Sequence, residues 1–237
     1  MSVIWHDLEC GSYAEDLPLW HELAQRQRGS VLEIGAGTGR VTLELARAGH
    51  QVTALDNDHE LLAALADRAH GLPVEIQRAD ARDFWLARRF ALCIVPMQTV
   101  QLFGGRDGRL SFLRCARAHL EPGGLVAITL ASGLETYDCQ EEEVSLVPDM
   151  TEVDGVVYCS QPSSISSHQD RFILVRRREK VDREGRRSMW EDAIELDQLT
   201  PAELAREARA IGLRQTGRRN IAATAEYAGS EVVIIGA

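Results

Sequence analysis

A glycine-rich stretch, Val31–Arg40, constrains the fold of this 237-residue chain more than any other feature. It reads Val-Leu-Glu-Ile-Gly-Ala-Gly-Thr-Gly-Arg, a short apolar run with glycines at alternate positions behind it, directly before a helical pattern. Glycine allows a tight turn and a close approach of backbone to ligand, and the first N–H groups of a helix are free to bind one. The stretch therefore predicts a strand, a turn and a helix of the kind found in nucleotide-binding proteins.

The spacing of Gly35, Gly37 and Gly39 separates this turn from two other glycine-rich loops. The dinucleotide fingerprint is Gly-x-Gly-x-x-Gly and the Walker loop ends in Gly-Lys-Ser/Thr, whereas these glycines follow Gly-x-Gly-x-Gly. The spacing disfavours a nicotinamide-dependent oxidoreductase. The only lysine, Lys180, does not belong to a Tyr-x-x-x-Lys pair. Glu33, just before the turn, is suited to face the cationic amino group of an amino-acid-like cofactor.

Strand and helix patterns alternate on both sides of this turn. Runs rich in Val, Ile and Leu predict strands buried on both faces, as in a parallel sheet covered by helices: Val31–Ile34, Gln51–Leu55, Val74–Gln77, Leu92–Val95 and Leu125–Leu130. Apolar residues at helical spacing predict helices at Glu15–Arg28, Thr38–Ala48, Asp58–Ala69 and Arg109–Leu120. The alternation predicts an α/β fold with a doubly wound, mostly parallel seven-stranded sheet and helices on both faces.

Residues 131–199 show a different pattern. Their strand candidates mix charged and apolar residues, which suits an antiparallel sheet with one wet face: Val156–Ser160, Arg171–Val181 and Ser188–Leu196. Gly185 lies in a predicted hairpin turn, and Ser163–Ser167 is interpreted as a short polar loop. We expect an antiparallel β insertion here that acts as an acceptor lid or a dimer interface.

The chain then returns to the pattern of the first part, so residues 1–130 and 200–237 are expected to form one core domain. Thr200 and Glu203 predict a capping box at the start of a last helix. Two further strands are predicted near Ile221–Ala225 and Glu231–Ile235.

Two carboxylates follow predicted core strands. Asp56 ends the second strand, about 20 residues after the glycines, where nucleotide-binding sheets place an acid for ribose hydroxyls. A carboxylate can accept two hydrogen bonds from a vicinal diol. The alternative is that Asp56 only caps the next helix, for which Asp58 is better placed. Asp80 follows the third strand, where aspartate is also a common turn residue.

Taken in register, these elements resemble class I methyltransferases that depend on S-adenosylmethionine (SAM), and the resemblance covers most of the chain. It implies SAM as cofactor, S-adenosylhomocysteine (SAH) as product, and a methyl group transferred to nitrogen or oxygen of a small-molecule acceptor. The implied cofactor-binding residues are Tyr13, Glu33, Gly35, Ala36, Gly37, Thr38, Gly39, Asp56, Asn57, Asp80, Ala81, Arg82, Pro96, Met97 and Gln98.

The resemblance also implies roles for these residues. Asp56 would bind the ribose, and Asn57 would flank the adenosine through its backbone. Asp80 would accept from the adenine amino group, with the backbone N–H of Ala81 at the ring. Pro96–Gln98 would shape the methyl-transfer pocket.

The chain departs from several branches of the family. Ala91 stands where many members have aspartate, which puts that contact in doubt, and the fourth strand carries neither Asn-Pro-Pro-Tyr nor Pro-Cys. Methylation of adenine, of glutamine amides or of cytosine C5 is therefore disfavoured. Tyr13 and the insertion resemble features of the sugar N-methyltransferases, although Tyr13 is equally suited to ordinary packing.

No catalytic residue is predicted. Methyl transfer from a sulfonium needs the acceptor held in line, and a general base only where the acceptor must lose a proton. His168 and Glu135 in the insertion are candidates for such a base, but solvated loop positions are the simpler interpretation. A non-catalytic protein of this fold that binds SAM or a partner remains the alternative function.

Charge and cysteine content limit the partners. A net charge of −10 disfavours a nucleic-acid substrate. The five cysteines include no Cys-x-x-Cys pair, so neither a disulfide framework nor a metal site is predicted. We find no signal peptide and no apolar run of about 20 residues, and we expect a cytoplasmic protein without a membrane span. A homodimer is a further possibility, through the insertion.

Overall fold

The computed structural model describes residues 3–131, 134–139, 147–224 and 227–236. Its helices are α1 (Val3–Cys10), α2 (Leu17–Gln27), α3 (Arg40–Arg47), α4 (His59–Arg68), α5 (Arg106–Ala118) and α6 (Pro201–Ala210). The first strands are β1 (Val31–Ile34), β2 (Val52–Asp56), β3 (Val74–Arg78), β4 (Phe90–Val95), β5 (Leu120–Ala131) and β6 (Tyr137–Asp138). The remaining strands are β7 (Asp149–Val153), β8 (Val156–His168), β9 (Arg171–Val181), β10 (Arg187–Asp197), β11 (Arg214–Ile221) and β12 (Ser230–Gly236).

The chain forms two compact units by Cα proximity. One contains Tyr13–Gly133 and Leu199–Ala237, and the other contains Ser2–Ser12 and Leu134–Gln198. The first unit, here called the core unit, holds the glycine turn. The second, here called the insertion unit, holds the antiparallel strands together with helix α1, whose membership the sequence did not indicate.

The core unit contains a seven-stranded sheet in the order β11-β12-β5-β4-β1-β2-β3. Strands β1 to β5 are parallel, and β12 is antiparallel to both of its neighbours. Alternate residues of β1 pack on opposite faces: Leu32 and Ile34 join a cluster with Phe112 of α5, whereas Val31 joins one with Trp20 of α2. Helices therefore cover both faces, and the predicted doubly wound α/β fold is confirmed.

Helix boundaries follow from local chemistry. Asp58 caps α4, because its carboxylate accepts from the backbone N–H groups of Glu60 and Leu61. The predicted capping box at Thr200 and Glu203 is present at the start of α6.

The insertion unit contains a second sheet in the order β10-β9-β8-β6, with β7 also paired to β8, and its described pairs are antiparallel. The predicted hairpin turn is present, with Gly185 at φ 78°. The antiparallel character of the insertion is thus confirmed.

Two predicted elements are wrong. The strand predicted at Ile221–Ala225 is instead β11, Arg214–Ile221, so the prediction overlaps it only at its end. This strand lies at the sheet edge, where most of its side chains are exposed. Its arginine-rich sequence therefore lacks the apolar pattern that predicts a strand. Ser163–Ser167 is not a loop but part of β8, which pairs with β9 across a bulge between Pro162 and Ser164.

No helix in the described part of the chain is long and apolar enough to cross a membrane. Within those same residues, no cluster of three or more His, Cys, Asp or Glu side chains is arranged to hold a metal ion. The five cysteines are all free thiols.

Candidate functional site

The glycine turn lies between β1 and α3 and requires glycine at two positions for steric as well as conformational reasons. Gly35, Gly37 and Gly39 all have positive φ, at 72°, 54° and 95°, a region that side chains beyond glycine rarely adopt. A Cβ at Gly35 would lie 2.5 Å from the Thr99 Cγ2 atom, and one at Gly39 would lie 2.3 Å from the Leu65 Cδ1 atom. Close packing beneath the turn therefore excludes larger residues.

Backbone hydrogen bonds fix the turn on the neighbouring strand. The N–H groups of Gly35 and Ala36 both donate to the Leu55 carbonyl, at 2.8 and 3.1 Å. Gly39 N–H donates to the Ala36 carbonyl at 2.9 Å. Thr38 is buried within the turn. The predicted residues from Gly35 to Gly39 thus form one ordered unit at the carboxyl end of β1.

Asp56, the last residue of β2, is drawn into the same unit. Its Oδ2 atom accepts from Gly37 N–H at 2.8 Å, and its Oδ1 atom accepts from Asp58 N–H at 2.9 Å. The helix cap belongs to Asp58, so Asp56 is not the cap of α4. The next residue, Asn57, is exposed, and its carbonyl accepts from Arg78 Nε at 3.3 Å.

Glu33 is a carboxyl group enclosed in the core beneath the turn. Its residue is 2% exposed, and the Thr42 hydroxyl donates to its Oε2 atom. Burial raises the pKa of Glu33 to about 8, and the Thr42 hydrogen bond and the Arg40 charge only partly oppose this. The carboxyl group therefore tends to hold its proton near neutral pH.

An ion pair that the sequence analysis missed lies next to Glu33. The guanidinium of Arg40 binds both carboxylate oxygens of Asp16 at 2.6 and 2.7 Å and also donates to the Tyr13 carbonyl at 2.7 Å. Trp20 Nε1–H donates to Asp16 at 2.8 Å. The only signal in the sequence was the four-residue spacing of Asp16 and Trp20 near the start of α2. This network ties the segment before α2 to the first residue of α3.

Tyr13 is held by this network. Its ring is 6% exposed, stacks edge-on against Tyr227 at 5.0 Å between centroids, and lies 5.1 Å from the Arg40 guanidinium carbon. Burial and the Asp16 charge raise the pKa of the phenol, and the Ser230 hydroxyl is near enough to oppose that rise. No described residue meets hydrogen-bonding geometry with the Tyr13 hydroxyl.

Asp80, Ala81 and Arg82 follow β3 in a tight turn. Arg82 donates to Asp80 from its backbone N–H at 2.8 Å and from Nη2 at 2.6 Å. The Arg82 guanidinium holds the pKa of the Asp80 carboxyl below its usual range. Asp80 is therefore a turn residue, as one interpretation of the sequence predicts. Its carboxylate is paired with Arg82, and 42% of its side chain is exposed.

Pro96, Met97 and Gln98 follow β4, which neighbours β1. Met97 has φ 54°, a left-handed backbone that is costly for a non-glycine residue and that tends to occur at functional sites. The Thr99 hydroxyl donates to the Pro96 carbonyl at 2.9 Å. Because β1 lies between β2 and β4, this is the point where the strand order of the sheet reverses, and ligands bind there in open α/β sheets.

The structure therefore places the four predicted strand-end groups, after β1, β2, β3 and β4, along the same carboxyl edge of one parallel sheet. Direct contacts join the glycine turn to Asp56 and to the segment after β4. His168 and Glu135, the candidate bases, are exposed residues of the insertion unit, and nothing in the structure assigns either a catalytic role.

Comparisons with known proteins agree with this geometry. Residues 31–124 match the model of a methyltransferase domain family. A probable cobalt-precorrin-6B C(15)-methyltransferase (decarboxylating) from Methanothermobacter thermautotrophicus is 33% identical over 116 residues, which are 46% of this chain and 57% of that protein. The chain spans about half the length of the curated relatives it matches.

Two solved structures resemble nearly the whole chain. A sugar N-methyltransferase from Streptoalloteichus has a TM-score of 0.74 at 17% identity, covering 98% of this chain and 91% of that one. An amino pentose methyltransferase from Micromonospora echinaspora, solved with SAM bound, has a TM-score of 0.73 at 18% identity, covering 98% and 96%. At such identities the likeness is one of fold. With the glycine turn, the match of residues 31–124 to a methyltransferase domain and this fold together, the chain resembles the class I SAM-dependent methyltransferases, the sugar N-methyltransferases among them.

Proposed function

We propose that this protein transfers a methyl group from SAM to a nitrogen or oxygen atom of a small-molecule acceptor, with the cofactor held by the core unit. One observation carries the proposal. The carboxylate at the end of β2 closes on the glycine turn through Gly37, beside the buried Glu33, whose raised pKa favours the protonated form. This arrangement presents a turn, an acid for a diol and an acid for an ammonium group along one sheet edge.

Asp56 is proposed to bind the ribose. Each of its oxygens accepts one backbone hydrogen bond in the structure, and a carboxylate has about four acceptor sites in all. The remaining sites suit the two hydroxyl groups of a ribose. The hydrogen bonds from Gly37 and Asp58 also orient the Asp56 carboxylate before the ligand binds, which reduces the entropy lost on binding.

Glu33 is proposed to serve the ammonium group of the cofactor. A carboxyl group that burial keeps protonated gains most from a nearby cation, because the cation favours its charged form. Binding of the cofactor would then release the Glu33 proton.

The adenosine end is assigned to the turn after β3. The backbone of Ala81 and Arg82 and the carboxylate of Asp80 are proposed to meet the adenine, with Asn57 flanking it. The turn is held in shape by the Arg82–Asp80 ion pair, so its backbone N–H groups are preorganised.

SAM supplies an activated methyl group on a sulfonium, and the chain itself has to position the acceptor and exclude water. The strained backbone at Met97 and its neighbours Pro96 and Gln98 are proposed to line the path of transfer. Tyr13 is proposed to lie near the cofactor, where its unpaired hydroxyl would find a partner.

Residues 131–199 are proposed to cover the acceptor. Strand β5 ends at Ala131, at the carboxyl edge of the core sheet, and the insertion follows directly. A cover that begins at this edge would exclude water and give the acceptor a shape-selective wall. A dimer interface is the other role for this segment. The names of the structural neighbours favour an amine on a small sugar as the acceptor.

The test is SAH formation by the purified protein with a panel of amino sugars, other amines and phenols. We expect turnover with an amine acceptor, and loss of most of it in Asp56→Ala at limiting SAM. Asp58→Ala is the matched control, since it removes a carboxylate two residues away that caps α4. SAM binding without SAH formation across a broad panel would favour the non-catalytic alternative.

A further inference from the structure

The end of helix α5 is joined to the loop that follows β3 by a buried histidine. His119 is 4% exposed and caps α5. Its Nε2 atom accepts from the Leu86 N–H at 2.8 Å, and its Nδ1 atom lies 2.7 Å from the Cys115 carbonyl. An imidazole nitrogen that accepts from an N–H carries no proton, so the ring is neutral with its hydrogen on Nδ1, where it donates to Cys115.

The same helix end contacts alternate residues of this loop. The His119 ring stacks on Phe84 at 4.8 Å between centroids and 28° between planes. Cys115 Sγ–H donates to the Arg82 carbonyl at 3.6 Å. Past the loop, Phe90 N–H, at the start of β4, donates to the His119 carbonyl at 2.7 Å.

These contacts involve alternate residues of the loop. Phe84 is buried and Leu86 half-buried, whereas Trp85 between them is 80% exposed. Cys115 and His119, at the end of α5, therefore contact residues 82, 84 and 86. The turn formed by Asp80–Arg82 leads directly into this contacted segment.

We propose that His119 is a positioning residue that holds the adenosine-binding loop in register through the Leu86 N–H, an inference that rests on the proposed function of residues 80–82. A hydrogen bond from a side chain to a loop N–H sets the position of the backbone, because a buried N–H without a partner is costly. The stack on Phe84 fixes the distance between the loop and the end of α5, and the bond to Nε2 fixes which backbone N–H of the loop faces His119. The function of His119 is therefore to preorganise the cofactor site without touching the cofactor.

Two substitutions separate the ring from its nitrogen. His119→Phe keeps a planar ring to stack on Phe84 but offers no acceptor to Leu86, whereas His119→Gln offers a side-chain carbonyl. His70→Phe, at an exposed position after α4, is the matched control. The readouts are hydrogen exchange at the Leu86 amide in the ligand-free protein, the Kd for SAM, and the imidazole ¹⁵N shifts.

We expect His119→Phe to speed Leu86 exchange and to raise the SAM Kd, each about tenfold, which corresponds to about 1.4 kcal/mol. KM for SAM should rise in parallel while kcat changes less than about twofold. In His119→Gln, Leu86 exchange and the SAM Kd should return most of the way to their wild-type values. In His70→Phe, neither should change. The ¹⁵N shifts of the wild-type protein should report the Nδ1–H tautomer.

The proposal is overturned if a folded His119→Phe protein keeps wild-type Leu86 exchange and SAM affinity, or if the Nε2–H tautomer is found. A wild-type protein that does not bind SAM would instead contradict the proposed function, and the exchange rates and ¹⁵N shifts would still decide whether His119 holds the loop.

Discussion

Two enclosed glutamates, one in each unit, have pKa values that move in opposite directions. Glu33 lies in the core unit with a threonine hydroxyl as its donor, and burial raises its pKa to about 8. Glu9 lies in the insertion unit with its side chain 6% exposed. Burial would raise the pKa of Glu9 too, but hydrogen bonds from Arg178 and Ser160 outweigh it, and the pKa lies below its ordinary value.

The difference distinguishes a structural carboxylate from one available to a ligand. Glu9 is bound by the Arg178 guanidinium at 2.7 and 2.8 Å and by Ser160 at 2.7 Å, so its charge is satisfied within the insertion unit. Among the described residues no guanidinium binds Glu33 directly, because Arg40 pairs with Asp16. A perturbed group at a sheet edge that lacks a partner of opposite charge is a candidate functional residue.

The largest effect is expected from breaking the Glu9–Arg178 pair. Glu9→Ala removes the carboxylate that binds the buried Arg178 guanidinium twice, which should lower the free energy of unfolding by about 3 kcal/mol, the low end for a broken buried pair because Asp192 still lies 3.0 Å from Arg178. Because the folded pKa of Glu9 is depressed, the stability it contributes should be present above pH 4.5 and lost as the pH falls through the folded pKa. Urea denaturation at a series of pH values measures both.

The double variant Glu9→Leu with Arg178→Leu is the control for the Glu9 prediction. Replacing both partners removes the unpaired charge and should cost much less than Glu9→Ala. If the single and double variants are equally destabilised, the pair is not the source of the Glu9 stability.

Asp56→Ala should weaken SAM binding by about 1.5–3 kcal/mol, because charge-assisted hydrogen bonds to ribose hydroxyls are lost. The loss of the Gly37 contact would add to this by loosening the turn. Calorimetric titration of SAM into the variant and into Asp58→Ala provides the measurement. An unchanged Kd in Asp56→Ala would show that the carboxylate only shapes the turn.

Glu33 should make the ligand-free protein less stable as the pH rises. The folded carboxyl keeps its proton up to a pKa of about 8, while the unfolded one loses it near 4.5. Unfolding therefore releases a proton between these values, and stability should fall by up to about 1.4 kcal/mol per pH unit there and level off above. Glu33→Gln should flatten the profile, as thermal melts from pH 5 to 9 would reveal; a profile unchanged by the substitution would contradict the assignment.

The smallest effect on cofactor binding is expected in the insertion unit. Shortening the β9–β10 turn at residues 182–186 should leave the Kd for SAM within about twofold while changing turnover or acceptor choice. Gly185 in this turn has open space around it, and Arg183 reaches the neighbouring turn through the Asp154 carbonyl at 2.6 Å. Turnover that stays intact while an oligomer dissociates in sedimentation would identify the segment as an interface.

Much of the core could be predicted from sequence because its signals are local. Parallel strands buried on both faces are mostly apolar runs, and every residue of β1 and β4 is buried, Glu33 being the charged exception. The Asp58 cap and the Thr200 capping box depend on residues two or three positions apart. The glycine turn and Asp56 follow from spacing along adjacent strands.

The rest depends on partners distant in sequence. Arg40 meets Asp16 across 24 positions, and His119 meets Leu86 across 33. The spacing of apolar residues along the sequence does not predict such pairs. Edge strand β11 was misplaced because exposed residues carry little hydrophobic signal, and β8 was interrupted in the prediction because serines inside a half-exposed strand look like a loop.

Calorimetry with SAM, SAH and NAD on the wild-type protein tests whether the glycine turn binds SAM. We expect saturable binding of SAM and SAH at one site, with a proton released when SAM binds near pH 7 that is absent in Glu33→Gln. NAD should give no binding heat. Saturable NAD binding with no response to SAM or SAH would contradict the assignment of the glycine turn and of the site built around it.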